Sequence, residues 1–179
     1  MRAADLIASG GVLLRPACGS FEEAVRGLVD VLIANGCLAA AMRDAATRAV
    51  VERETMQSTA IVEIGVAVPH ARVAGIDGVM AAMAASPTAV YYAMAGVPIS
   101  IVVVVLSAPD LVGDHLDTLA GVSLLLQSAD TRRGLEHAAD STSAPRRTRS
   151  ALVESAACSR PRRVSALCRS SDTPASVSR

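Results

Sequence analysis

A chain of 179 residues, 51% of them apolar, is long enough for one domain with a sizeable core, and with two Tyr, one Phe and no Trp that core has to be built from Ala, Val, Leu, Ile and Met. No unbroken apolar run exceeds seven residues, Ile101 to Leu106 among the longer ones, far short of the roughly 20 that cross a bilayer, and the N-terminus lacks a basic, apolar, cleavable arrangement, so the expectation is a globular cytoplasmic protein. A formal charge of zero hides a split: residues 1–140 carry nine Arg and fifteen acids, a formal −6, whereas residues 141–179 carry eight Arg and two acids, a formal +6, as an acidic body with a basic tail would.

Leu6 and Ile7 sit in a short lead, after which Gly11 to Leu14 reads as a first strand ended by Pro16. Ser20 and Glu23 have capping-box spacing, and Phe21, Ala24, Val25, Leu28, Val29, Leu32 and Ile33 then recur at helical intervals until Asn35-Gly36, which predicts an amphipathic helix of about four turns. A second helix, rich in Ala, is expected from about Ala39 to Glu54, with Arg43, Asp44, Arg48 and Glu52 on its wet side. Cys18 and Cys37, and the distant Cys158 and Cys168, have no CxxC spacing and read as incidental thiols, neither a zinc site nor a disulfide framework.

Thr59 to Val68 is apolar and β-branched enough for a strand with an irregular approach to His70. Val79 to Ala85 is taken as a strand because Ser86-Pro87 stops it early. Ile99 to Leu106, after Gly96-Val97-Pro98, contains a continuous β-branched run that implies burial on both faces, hence a sheet covered by helices on both sides. Asp110 to Asp114 reads as a loop with Asp114 as N-cap of a helix reaching about Gln127, its faces traced by Leu116, Leu119, Ala120, Ser123 and Leu124. A short helix from Thr131 to Ala138, capped by Asp130, follows and contains His137, which fits a solvated side chain.

The rest of the chain is organised around Gly65-Val66-Ala67-Val68-Pro69-His70-Ala71-Arg72. Proline cannot donate to a sheet ladder and is expected to close a strand there, leaving His70 at an edge or rim, where a reactive side chain is displayed. By itself a histidine after a strand is more often a hydrogen-bonded surface residue than a reactive one. Its neighbours change that: Arg53-Glu54, Ser58-Thr59, Gly96-Val97-Pro98 and Gly113-Asp114-His115-Leu116 accompany it, and as a set, over roughly Val12 to Ala139, they make the chain resemble the type-2 (fructose, mannitol and nitrogen-type) IIA domains of the bacterial phosphotransferase system.

That resemblance implies an α/β fold of three layers, α/β/α, with a central mixed β-sheet flanked by helices on both faces. It implies a phosphocarrier that accepts a phosphoryl group from the phosphocarrier HPr and passes it to a IIB component for sugar uptake, with no metal or organic cofactor and with the membrane reached only through IIB and IIC. Carried over residue by residue, His70 becomes the phosphoryl acceptor, His115 the supporting active-site histidine and Arg53 the cation that stabilises the phosphoryl charge. The nitrogen-type relatives offer a regulatory alternative, in which partners read the phosphorylation state of the same histidine. The chain departs from the family pattern at Glu63-Ile64, where the approach to His70 is one residue longer and expected to bulge.

The residues themselves support the chemistry. Imidazole, with an ordinary pKa near 6.5, is mostly neutral at cellular pH and so nucleophilic. With Asp114 as cap, His115 would lie in a first helical turn, where free N–H groups favour an anion. Arg53 is in most settings one more solvated charge, but a guanidinium about 4 Å from a phosphoryl group is worth on the order of 4 kcal/mol at an effective dielectric near 20 before desolvation is subtracted. Arg72 could help or simply stand in an exposed loop. A metal-dependent hydrolase on His70 and His115 lacks the carboxylate spacing of such sites, and the basic tail has no aromatic residue to stack on nucleic acid.

Residues 141–179 hold ten Ser, three Pro, eight Arg and no Gly without a sustained apolar period, which leads us to divide the chain into a domain at 1–140 and a disordered tail at 141–179. Limited proteolysis should therefore trim the protein to a stable core ending near Asp140 that still accepts phosphate. A tail that resists protease, or whose removal unfolds the body, would contradict this division.

Overall fold

A computed structural model describes residues 3–16, 18–93 and 96–140, of which 137–140 as backbone only. The expected tail at 141–179 and the side chain of His137 lie outside these residues. The elements in chain order are α1 (Ala3–Gly10), β1 (Val12–Leu14), α2 (Phe21–Ala34), α3 (Arg43–Met56), β2 (Ala60–Ile61), β3 (Val66–Ala67), β4 (His70–Arg72), β5 (Val79–Ala85), β6 (Tyr91–Tyr92), β7 (Pro98–Ile99), β8 (Ile101–Ser107), α4 (Val112–Gln127) and α5 (Ala129–Asp140).

The strand Ile101–Ser107 is buried at every position and occupies the middle of a mixed six-stranded sheet. The order is β1-β5-β8-β3-β2, with β4 pairing with the same side of β8 further along. β5 runs antiparallel to β8, whereas β3 and β4 run parallel to it. The two-residue period of the pleat then deals the β8 side chains to two separate cores. Val102, Val104 and Leu106 join Ala24, Val25, Leu28, Val29 and Leu32 of α2 and Ala46 and Val50 of α3. Ile101, Val103 and Val105 join Leu6 and Ile7 of α1, Val122, Leu125 and Leu126 of α4 and Leu135 of α5. This is the three-layer α/β/α architecture with a central mixed sheet that the sequence implied.

Ser20 caps α2 as expected, its hydroxyl accepting from the Glu23 amide at 3.2 Å. The reciprocal half of the box is displaced by one residue, since the Glu23 carboxylate accepts from the Gly19 amide at 2.6 Å. Asn35 ends the helix and also donates to the carbonyls of Gly10 at 3.1 Å and Val31 at 2.9 Å, which ties the end of α1 to the end of α2.

Several expectations need correction. The lead is a helix: Ala3, Leu6, Ile7 and Gly10 fall on one stripe of α1, and that stripe is buried against the sheet. A 3-10 turn at Ala40–Met42 precedes α3, which starts only at Arg43 and runs on to Met56. Pro69 interrupts the strand without ending it, because its carbonyl still accepts from the Val105 amide at 3.0 Å and pairing resumes at His70. α4 starts at Val112, and Asp114 is its third residue and not its cap. Its buried stripe is His115, Thr118, Val122, Leu125 and Leu126, while Leu116 and Leu124 of the expected pattern are 59% and 64% exposed. α5 begins earlier than expected, with the Ser128 hydroxyl and not Asp130 accepting from the Thr131 amide at 3.3 Å.

Gly10 shows how closely α1 lies on the sheet. A Cβ built there would stand 1.8 Å from the Ala81 carbonyl oxygen, a backbone atom of β5 that cannot step aside. Gly10→Ala is accordingly expected to destabilise by about 1–3 kcal/mol, the range for overpacking a filled interior. Gly134→Ala, in α5 with nothing within 4 Å of the added Cβ, should be neutral or slightly stabilising. Urea unfolding of both variants checks this, and equal midpoints would contradict the packing described.

Candidate functional site

Residues Thr59 to Gly65 bring the chain to the sheet by an irregular path, as their composition suggested. β2 is only Ala60–Ile61, a 3-10 turn fills Val62–Ile64, and Gly65 ends the turn with φ +65°. A left-handed residue is needed there because the chain reverses into β3, and a Cβ would also crowd the Ser100 hydroxyl at 3.1 Å. The bulge expected at Glu63-Ile64 takes the form of this turn. Behind it the Glu54 carboxylate accepts from the Ser58 hydroxyl at 2.8 Å, the Thr59 amide at 2.7 Å and the Thr59 hydroxyl at 2.7 Å. These bonds fasten the end of α3, and with it Arg53, to the segment that leads to His70.

β4 pairs with β8 alone among the described residues, so His70 stands on an edge, as its place after Pro69 suggested. The parallel register sets His70 beside Val105 and Arg72 beside Ser107. Val105 faces the layer of α1, α4 and α5, and the pleat therefore puts His70, Arg72 and Ser107 on that face, while Ala71 turns to the α2–α3 core. His115, at the N-terminal end of the buried stripe of α4, meets them there. The His70 and His115 ring centroids are 5.4 Å apart, with the planes tilted by 57°.

The ring nitrogens are individually accounted for. His70 Nδ1 lies 2.9 Å from the Val68 carbonyl oxygen, and a carbonyl can only accept, so Nδ1 carries the proton and Nε2 is left with the lone pair. His115 Nδ1 lies 2.8 Å from the Ser107 hydroxyl. The backbone amide of His115 is already spent on the Leu111 carbonyl at 3.0 Å, so the helix end offers an anion the amides that precede it, not that of His115 itself.

A cleft of about 670 Å³ opens between α3 and α4 over the edge of β4. Arg53, His70, Arg72 and His115 all line it, so the structure gathers the three site residues named from the sequence, and Arg72 with them. Arg53 Nη1 donates to the Gln57 carbonyl at 3.2 Å at the end of α3. Exposed apolar side chains rim the opening: Met56, Val112 and Leu116. His115 is 6% exposed, and burial, reinforced by His70 and Arg72, holds its pKa below the usual 6.5. Among the described residues no three His, Cys, Asp or Glu side chains gather as a metal ion would require, and no helix is long and apolar enough to cross a membrane.

Comparison with known proteins decides the family. Residues 6–145 match the family described as phosphoenolpyruvate-dependent sugar phosphotransferase system, EIIA 2. The chain belongs to this family. That membership carries a general role in phosphoryl transfer. No curated protein matches the chain in sequence. Among solved structures it is similar to the nitrogen regulatory protein IIA-Ntr of Neisseria meningitidis, at 22% identity and a TM-score of 0.66, covering 83% of this chain and 97% of that one. It is also similar to the mannitol IIA of Escherichia coli, at 19% identity and a TM-score of 0.56, covering 81% and 96%. A further similar structure, at 17% identity and a TM-score of 0.59 and covering 82% and 96%, is the Escherichia coli mannitol IIA in complex with phosphorylated mannitol IIB.

Sequence reading underrated two members of the site. The sequence leaves Arg72 open between a helper and an exposed loop residue, and the strand decides for the site, since two residues on from His70 it stands on the same face. Ser107 drew no attention, although one hydroxyl closing a run of six aliphatic residues is a polar group that burial obliges to find a partner.

The lowered His115 pKa has a consequence for stability. The unfolded chain takes up a proton at this residue as pH falls below about 6.5, whereas the folded protein does so only at lower pH, so stability is full above 6.5 and declines as pH drops towards the folded value. His115→Gln should lose less stability between pH 7.5 and 5 than the parent in urea unfolding. His115 resonances that titrate at or above 6.5 in NMR would contradict the burial described.

Proposed function

We propose that the protein is a phosphocarrier of the sugar phosphotransferase system, taking a phosphoryl group from phosphorylated HPr onto His70 Nε2 and passing it to a IIB component. The observation that carries this reading is the bond from His70 Nδ1–H to the Val68 carbonyl at 2.9 Å. It orients the ring and leaves Nε2 unprotonated, so that ring nitrogen is ready to attack. As the N–P bond to the donor histidine breaks and the bond to His70 Nε2 forms, the imidazole acquires positive charge shared with Nδ1–H. The Val68 carbonyl dipole stabilises that charge, and no proton need leave.

The remaining residues meet the negative charge of the phosphoryl oxygens. Arg53 and Arg72 supply cations to the cleft, and His115 faces the acceptor ring. Such preorganised groups act where water is partly excluded, and there their interaction with a dianion is stronger than at an open surface. The apolar rim of Met56, Val112 and Leu116 suits protein partners, since donor and acceptor must each bring a reactive side chain of their own to within bonding distance of Nε2. We place the reaction in the cytoplasm with residues 1–140 as the working domain, and the membrane is approached only through IIB and IIC. Use of phosphorylated His70 as a regulatory signal would rest on the same chemistry.

Incubation with phosphoenolpyruvate, enzyme I and HPr, followed by mass measurement at neutral or alkaline pH, should add one phosphoryl group to the parent protein and none to His70→Ala. Replacing His115 or Arg53 by Ala should slow transfer by roughly one to three orders of magnitude while leaving His70 the labelled residue. Full labelling of His70→Ala, or folded His115 and Arg53 variants that both transfer at the parent rate, would overturn the assignment.

A further inference from the structure

Ser107 is the last residue of β8 and is completely buried. Its neighbours in register are Arg72 on β4 and Val79 on β5, and its own carbonyl is engaged by the Val73 amide at 2.9 Å. Among the described residues its hydroxyl has one partner, His115 Nδ1 at 2.8 Å. A hydroxyl can donate to an imidazole nitrogen or accept from one, and the two alternatives place the proton of neutral His115 on opposite sides of the ring.

Burial decides between them. If Nδ1–H donated to Ser107, the hydroxyl proton would be left in the interior without an acceptor, at a cost of about 1–3 kcal/mol. If the hydroxyl donates to Nδ1, both groups are satisfied and the imidazole proton resides on Nε2. Burial and the neighbouring His70 and Arg72 favour the uncharged form of His115, so the ring carries a single proton whose place this bond determines.

We propose that Ser107 is a positioning residue of the phosphoryl-transfer site, which fixes His115 as the tautomer protonated on Nε2 and so makes it a hydrogen-bond donor to the phosphoryl oxygens. The consequence for transfer rests on the reading of His70 as acceptor, but the tautomer itself does not. The two rings are thereby made complementary. His70, held at Nδ1 by Val68, offers a lone pair at Nε2, and His115, held at Nδ1 by Ser107, offers an N–H at Nε2. The opposite tautomer of His115 would turn a lone pair toward the anionic group and repel it. Geometry alone would be unchanged, so the hydroxyl sets the sign of the interaction.

The test compares the full chain with Ser107→Ala and Ser107→Thr. ¹⁵N NMR of the histidine ring nitrogens above pH 7 should show His115 of the parent protonated on Nε2. Ser107→Ala should give a mixture of tautomers, and Ser107→Thr, which keeps a hydroxyl, should restore the parent pattern. In the phosphoryl-transfer assay Ser107→Ala should lose roughly 10- to 100-fold in kcat with little change in KM for HPr, the range for removing a group that orients a reactive imidazole, and Ser107→Thr should recover most of it. Parent His115 protonated on Nδ1, or Ser107→Ala with an unchanged tautomer and rate, overturns the proposal. A parent protein that shows the expected tautomer but accepts no phosphate overturns the functional reading, and the positioning role with it, while leaving the Ser107–His115 bond as assigned.

Discussion

The constraint on which the rest of the structure depends is the complete burial of β8. A seven-residue strand with no exposed position can exist only if both of its faces are covered, and the alternation of its side chains then commits α2 and α3 to one side and α1, α4 and α5 to the other. Everything at the site inherits this assignment. The register between β4 and β8 puts His70 and Ser107 on the face that α4 covers, and the buried stripe of α4 begins at His115. A shift of β4 by one residue would turn His70 into the α2–α3 core and dissolve the cluster.

At the site the backbone does as much as the side chains. Val68 and Pro69 hold the start of β4 through their carbonyls, one on the His70 ring and the other on the β8 amide of Val105. Proline is well chosen between them, since it has no amide to leave unpaired at this break in the ladder. Glu54 performs a comparable task on the far wall of the cleft, gathering three donors from Ser58 and Thr59 so that the end of α3 is fixed where Arg53 enters the cleft. The Arg53-Glu54 and Ser58-Thr59 pairs thus form one structural clasp that fixes Arg53 at the cleft.

Much of this was legible in the sequence. The β-branched run of β8 announced a sheet covered on both faces, the Ser20 cap and the spacing from Phe21 to Ile33 gave α2, and the Pro69-His70 pair with its companions named the three residues that the cleft brings together. What was not legible has physical reasons. α1 has only Leu6 and Ile7 as large apolar residues, so its i, i+3, i+4, i+7 stripe of Ala3, Leu6, Ile7 and Gly10 is easily passed over, and it is buried through a close approach at Gly10 that only tertiary structure creates. The start of α4 was misread because Asp114 looks like a cap, whereas the turn after Ala108 lets the helix begin at Val112 without a side-chain cap. The expected face followed the leucines at 116 and 124, whereas the buried stripe takes in the polar His115 and Thr118. Arg72 stayed undecided and Ser107 escaped notice because their places depend on strand register, which a single sequence does not display.

The central claim is that transfer occurs at one nitrogen of one histidine, selected by a backbone hydrogen bond. It is tested most directly by ³¹P- and ¹⁵N-resolved NMR of the protein phosphorylated through HPr, at neutral to alkaline pH. The account predicts a phosphorus–nitrogen coupling to Nε2 of His70, with Nδ1 still protonated and bonded to the Val68 carbonyl. A phosphoryl group on Nδ1 of His70, or on either nitrogen of His115, would contradict it.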